Sequence, residues 1–325
     1  MKQFVLSLFV AMMATVAVQA QQIAVVSSEG TSIYRSLATA ITAAPDNSVI
    51  YLPGGGFPLS DEVKITNKKL TIIGIGHKVQ GENADGYTTI TGNLQFDEGS
   101  DQSAVLGCYI TGNVKIGTST AVANDITVRY CNLNAVVVNN ANCLETVVNQ
   151  CYVRGTSDFH GANGHFTHNI AYSILNIDNG YVEYNIFTTD QYIFGTSTYN
   201  SDHNQTESTS VRGNVFTSNC SKLTTNCLTS DNMVMNNNSS YGDAAIHLSK
   251  ATSEVFENPR GVTPFSNYNF KQDYQEYQNR CGVYVSNGFD ADQLPPVPYI
   301  VNKRIPEQTD ADGKLNIKVR VKAGN

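Results

Sequence analysis

The sequence predicts an all-β chain built as a single-stranded parallel β-helix, and three observations predict it. Seven positions, Cys108, Cys131, Cys151, Asn169, Asn185, Asn214 and Asn232, recur at separations of 23, 20, 18, 16, 29 and 18 residues. Three residues before them stand Val105, Val128, Val148, Phe166, Val182, Val211 and Thr229; two residues after them stand Ile110, Leu133, Val153, Ala171, Phe187, Phe216 and Val234. All but Thr229 are apolar. Asn is abundant, 34 of 325 residues, and stacked Asn side chains supply the donors and acceptors that inward-turned backbone groups need at a repeated corner. The period suits one coil of a solenoid whose short strands bond the coils above and below at about 4.8 Å. Cys, small and usually buried, continues the same inward column at the first three corners.

Composition narrows the function. The formal charge is -7 and only 15% of residues are charged, below the roughly 25% usual for globular domains. No basic run is present, which argues against nucleic acid, because phosphate binding depends on clustered Lys and Arg. Regularly spaced Val, Ile, Tyr and Phe argue against disorder. Seven cysteines is an odd number, so at least one thiol is unpaired or bonds outside the chain. Cys143, Cys220, Cys227 and Cys281 have no metal-ligand spacing, and their pairing is open.

Taken in order, residues 1–20 read as a secretory signal: Lys2 supplies the charge, Phe4 to Val18 the apolar run, and Val18-Gln19-Ala20 a small-residue cleavage site. Cleavage after Ala20 implies a secreted, periplasmic or cell-surface protein. Beyond it no apolar stretch approaches the roughly 20 residues that span a bilayer. Ser32 is placed to cap a short helix with Tyr34, Leu37, Ile41 and Ala44 on one face, ended by Pro45. Strands follow at Val49 to Leu52, Val63 to Ile65 and Leu70 to Ile75, and the coils continue to about residue 250. Residues 251–325 form an irregular region ending in a hairpin, with Tyr299 to Ile305 and Lys314 to Ala323 flanking the turn Asp310-Ala311-Asp312-Gly313.

Two stretches carry a resemblance. SLATAITAAPDNSVIYLPGG, followed by KLTIIGIG, resembles the N-terminal part of pectin-lyase-like right-handed β-helix proteins. With the coils, the likeness covers roughly residues 23–250. It implies the right-handed solenoid with an N-terminal capping helix, and it leaves the chemistry open, since lyases, hydrolases, esterases and non-enzymes share that fold. CYVRGTSDF, residues 151–159, is similar to the stretch of pectin methylesterases that carries their nucleophilic aspartate, which implies that role for Asp158. The family continues with Ile-Phe-Gly where this chain has His160-Gly161. Its partner acid, one coil earlier, would fall near Val137, and Val136, Val137, Val138 and Asn139 offer no carboxyl group. Ester hydrolysis by paired acids needs a nucleophile and a proton donor held apart in pKa.

Using the anchors as a ruler, positions seven and nine beyond each should point alike, because strand side chains alternate. They yield an outward stripe of Asn140, Asp158, His160, Asn176, Asp178, Tyr192 and Phe194, with Phe159, Ile177 and Ile193 inward. Carboxylates, an imidazole, amides and flat rings on one face suit a sugar chain. Asp158, His160 and Asp178 are the candidate catalytic residues, and Asn140, Asn176, Tyr192 and Phe194 the candidate substrate contacts. The long coil between Asn185 and Asn214 adds a polar insertion, Thr196 to Thr209, whose Tyr199 and His203 are candidates for the rim of a site. Asp158, Asp178, Asp190 and Arg154 are the groups a calcium-assisted elimination would recruit. Their spacing does not single them out, and no metal or other cofactor is indicated. His160, His165 and His168 alternate in direction, as surface histidines do. Three readings stand: a polysaccharide-binding protein, a carbohydrate-active enzyme (lyase, hydrolase or esterase) using Asp158, and a structural or adhesion protein. Oligomeric state is not legible.

Overall fold

A computed structural model describes residues 22–60, 63–78, 86–188, 208–217, 227–235, 246–289, 295, 299–304, 314 and 318–322. The leader assigned to residues 1–20 lies outside them. The chain winds into a parallel β-solenoid of about eight turns. One ladder of strands runs from Ser48–Tyr51 through Thr127–Arg129 and Gly164–Thr167 to Leu228–Ser230. A second runs from Gly55–Pro58 through Asn132–Leu133 and Ile186–Phe187 to Ile246–His247. A third face branches from the second and joins Lys64–Ile65, Leu94–Phe96, Val114–Ile116, Val136–Val138 and the far ends of Tyr152–Asp158 and Ile170–Leu175.

The stacking follows the spacing read from the sequence. Val105, Val128, Val148, Phe166, Val182, Val211 and Thr229 pair one to the next in register. From Leu133 to Val234 the second column does the same. Both columns point inward and, Thr229 apart, are fully buried. Where aromatic rings meet, they stack: Phe166 on Phe187 at 6.1 Å and Phe187 on Phe216 at 5.5 Å.

Between the two columns the chain turns on a single residue. Gly107, Tyr130, Gln150, His168, Tyr184, Gly213 and Asp231, each just before an anchor, all have φ between 54° and 65°. This left-handed conformation costs a non-glycine residue about 1–2 kcal/mol. Each of those whose bond is described donates its N–H to the next coil, His168 to Glu183 and Tyr184 to Arg212 among them. Only two are glycines, so residue type gave no warning of this corner.

The anchors satisfy what the corner turns inward. Asn169 Nδ2 donates to the Val148 carbonyl at 2.9 Å and to Asn185 Oδ1 at 3.1 Å. Asn185 and Asn214 repeat the pattern, and Asn232 Nδ2 donates to the Val211 carbonyl. The cysteines do half of this. Cys151 Sγ donates to the Val128 carbonyl at 3.6 Å and Cys131 Sγ to the Val105 carbonyl at 3.7 Å, the bonds an Asn amide would make. Burial pushes the Cys108 and Cys151 thiols well above their ordinary range, with Cys131 adding to the shift, and burial pushes Cys281 up to about 12. A thiolate is the reactive form. Cys108, Cys131, Cys151 and Cys281 are all buried, and they are expected to resist iodoacetamide in the folded protein at about pH 8 and to label fully in denaturant. Peptide mass spectrometry checks this, and labelling of the native column would contradict the corner geometry.

The N-terminal end differs from expectation. Ser32 does not cap a helix; it lies in the strand Gly30–Tyr34, paired with Val25 of Ile23–Ser27 across a tight turn. Cross-strand pairing in this hairpin takes Ser32 to Tyr34 before a helix can nucleate. The helix is Leu37–Ala43, entered from Ser36, and buries Leu37, Ala40 and Ile41 against the first coils. Lys68 Nζ ends it, donating to the carbonyls of Ile41, Thr42 and Ala44 at 2.8–3.1 Å, where a cation also opposes the helix dipole.

Past the coils, Phe256–Asn258 pairs antiparallel with Asn267–Phe270. This segment and the residues after it pack sideways on the second ladder, burying Phe256, Tyr268, Phe270, Cys281, Val283 and Phe289 against Tyr152, Ile170, Ile186, Val215 and Met233. The tail forms the expected hairpin, Tyr299–Arg304 antiparallel to Lys318–Lys322.

Candidate functional site

On the third face one outward row runs in register through Lys64, Gln95, Lys115, Val137, Asp158 and Leu175. Asp158 therefore stands opposite Val137 and Leu175, one residue earlier in each than the spacing ruler gives. The cause is a bulge. Between Val153 and Thr156 the strand Tyr152–Asp158 holds one residue more than its neighbour, which pairs Val153 with Ala171 and Thr156 with Ser173. The extra residue offsets Asp158 by one place against both neighbouring strands. Val137 takes the outward place opposite it, and Val138 is buried.

The Asp158 carboxylate is tightly held. Its Oδ1 accepts from the His160 backbone N–H at 2.9 Å and from Asn176 Nδ2 at 2.9 Å. Both donors sit on left-handed residues, φ 50° at His160 and 53° at Asn176, which bends the chain round the carboxylate. His160 is exposed and Asp158 half-buried. Asn176 Oδ1 is buried with no hydrogen-bond partner. Asp178 lies on the next corner, its N–H donating to the Ala162 carbonyl at 3.1 Å. Phe159 and Ile177 point inward and are fully buried. Thus Asp158, His160 and Asn176 form one hydrogen-bonded group. Asn140 makes separate bonds, Nδ2 to the Thr118 carbonyl at 3.2 Å and Oδ1 from the Asn142 N–H at 3.0 Å. Tyr192, Phe194, Tyr199, His203 and Asp190 lie outside the described residues, as does the insertion apart from Ser208 and Thr209.

Other groups are accounted for. Arg154 is tied down by the bulge it helps to form: Nη2 donates to the Ile110 carbonyl at 2.9 Å, Nε to the Leu133 carbonyl at 3.3 Å, and the guanidinium lies 5.0 Å from the Tyr109 ring centre. Named from the sequence among the groups a calcium-assisted elimination would recruit, Arg154 is here a brace between coils. His165 Nε2 meets Glu145 Oε2 at 3.0 Å on the first ladder and stacks on Tyr181 at 4.7 Å. His168 stacks on Tyr184 at 5.2 Å. Among the described residues no three His, Cys, Asp or Glu side chains converge on one point, and no helix is long and apolar enough to cross a membrane.

Pectinesterase 2.2 of Solanum lycopersicum is 42% identical over 81 residues, 24% of this chain and 13% of that relative. Pectinesterase 1 of the same organism is 35% identical over 112 residues, 31% of this chain and 19% of that relative. Part of this chain is similar to pectinesterases. The chain thus matches less than a fifth of either relative's own length. No family model matches, and no solved structure matches. The pectinesterase-like stretch read from the sequence and the Val137–Asp158 pairing meet at one place. Where a second carboxyl group would face Asp158 across the ladder, the chain presents an isopropyl group.

Proposed function

We propose that the protein binds a methyl-esterified, pectin-class polysaccharide along the third face, with Lys115, Asp158 and His160 as polar contacts and without paired-acid ester hydrolysis. The pairing of Val137 with Asp158 carries this reading. Two-carboxylate catalysis needs one group charged and one protonated, and a valine can neither donate a proton nor share one with Asp158. Asp158 keeps the features of a recognition group: a fixed carboxylate at the surface, ready to accept from sugar hydroxyls. Lys115 stands two coils away in the same row. That local pair is neutral, whereas the chain as a whole carries -7. A polyanion is repelled by such a field and an esterified chain is not. Export to meet such a polymer belongs to the same proposal, resting on the signal-like leader.

Binding isotherms on pectins of graded esterification test it, with methanol, reducing ends and unsaturated products followed in parallel. Highly esterified pectin is expected to bind more tightly than de-esterified pectin at low salt, with the difference shrinking as salt rises. Asp158→Asn and Lys115→Ala should each weaken binding about two- to fivefold, the scale of an exposed polar contact. Methanol release that disappears in Asp158→Asn would instead establish an enzyme. The similarity to pectinesterases is what favours that second reading.

A further inference from the structure

The C-terminal segment that lies along the second ladder is fastened at a histidine. From Arg280 to Phe289 it runs back over the left-handed corners of the stack. Arg280 pairs with Asp231 at 3.0 Å, the Gly282 N–H donates to the Gly213 carbonyl at 2.8 Å, and Phe289 packs edge-on against Tyr152 at 5.5 Å. Between these points His168 is enclosed. One ring face stacks on Tyr184. Gly288 lies against the imidazole so closely that a Cβ there would overlap the ring. The Val285 backbone lies close enough to favour the protonated ring, while Nε2 is buried with no hydrogen-bond partner.

From this enclosure we infer that residues 280–289 are a proton-released strap, closed while His168 is neutral and loosened when its ring is protonated. An imidazolium carries an N–H on both nitrogens. In the closed strap the Nε2 proton would be a buried, charged donor with nothing to receive it, which is among the costliest arrangements in a fold. Lifting the strap gives that proton to water. It also uncovers the apolar row Tyr152, Ile170, Ile186, Val215 and Met233.

The surrounding charges do not cancel the effect. From the preceding coils Arg129, held over Tyr130 at 4.8 Å, opposes protonation. From the next coil Glu183 favours it, although Glu183 also accepts from Ser210 Oγ at 2.8 Å, and Arg212 lies 5.9 Å from the Tyr184 ring centre. From the strap itself Tyr284 is a neutral phenol pushed up by burial, and the Arg280–Asp231 pair sits three coils on. Burial outweighs the Val285 and Glu183 contributions and holds the His168 ring below its ordinary 6.5. With a folded value depressed relative to the open state, strap stability is fully present above about 6.5 and is lost as pH falls through the folded value. The closed-to-open ratio drops up to about tenfold per pH unit in that window.

Hydrogen exchange of peptides spanning 280–289, corrected for intrinsic rates, tests this on the full chain between about pH 7.5 and pH 5. Protection is expected to fall with acid in the wild type and to stay level in His168→Phe, which keeps the stack on Tyr184 but cannot titrate. A proton NMR titration of the wild-type imidazole provides a second measurement that depends on no variant, with a midpoint expected below 6.5. A midpoint at or above 6.5, or wild-type protection as flat as that of His168→Phe, overturns the inference.

Discussion

Asn185→Ala is expected to destabilise the solenoid by about 3–5 kcal/mol, more than any comparable truncation of a surface residue. Asn185 Oδ1 accepts the Asn169 backbone N–H at 2.9 Å and Asn169 Nδ2 at 3.1 Å. Its Nδ2 donates to the Phe166 carbonyl at 2.8 Å and to Asn214 Oδ1 at 2.9 Å. Removing the amide orphans a backbone donor and a backbone acceptor in a fully buried column, each costing roughly 1–3 kcal/mol. Alanine cannot refill the site, and the coils on either side are too regular to bring water in. Cys151→Ala is the informative contrast. Its thiol makes only weak sulfur hydrogen bonds, to the Val128 carbonyl at 3.6 Å, to the Asn149 carbonyl at 3.3 Å and with the Cys131 backbone N–H, so about 1–2 kcal/mol is expected. Urea unfolding of both variants measures the difference. Equal losses would mean that the column is held by volume and not by amide hydrogen bonds.

The second large effect is electrostatic. Val137→Asp places a carboxyl group in register with Asp158, and two like charges on adjacent strands resist joint ionisation. The pair is expected to titrate in two steps, the upper raised by about one unit or more over the ordinary carboxylate value near 4. The sign follows directly. The folded pair holds its second proton longer than the unfolded chain does, so the variant loses stability relative to wild type as pH rises from about 4 through the upper value, and keeps that deficit at neutral pH. Carboxyl chemical shifts followed over pH, beside urea midpoints at about pH 4 and pH 7, measure it. A single unsplit titration for both groups would show that Val137 and Asp158 do not face one another, and the argument for a lone carboxylate at this site would fall with it.

The site reading depended on a count that a bulge broke. Asp158, Phe159 and Ile177 lie on the faces that alternation assigned. Pairing of Asp158 with Val137 and Leu175, however, follows from one additional residue near Arg154-Gly155. Nothing in that dipeptide distinguishes a bulge from a plain turn until Arg154 is seen bonding the Ile110 and Leu133 carbonyls of earlier coils. The helix start was misread for a related reason. Ser32 fits a cap locally, but its backbone is claimed by Val25 in a hairpin that forms across a two-residue turn. Local signals were correct about what each segment was able to form. They were silent on which partner would compete for it.

What the sequence determined by itself was the repeat: apolar residues at fixed offsets from a Cys or Asn, which compel stacking because no single coil can bury its own apolar face. The missing second acid was legible too, since no carboxyl residue occurs from Val136 to Asn139. Only the tertiary structure decided the left-handed corner, occupied by Gly, Tyr, Gln, His and Asp alike, and the strap folded back over it. Those depend on contacts between residues 16 to more than 100 positions apart, such as Asn169 with Asn185 or His168 with Gly288. A conformation whose strain is offset by neighbours in other coils leaves no mark on the residue that adopts it.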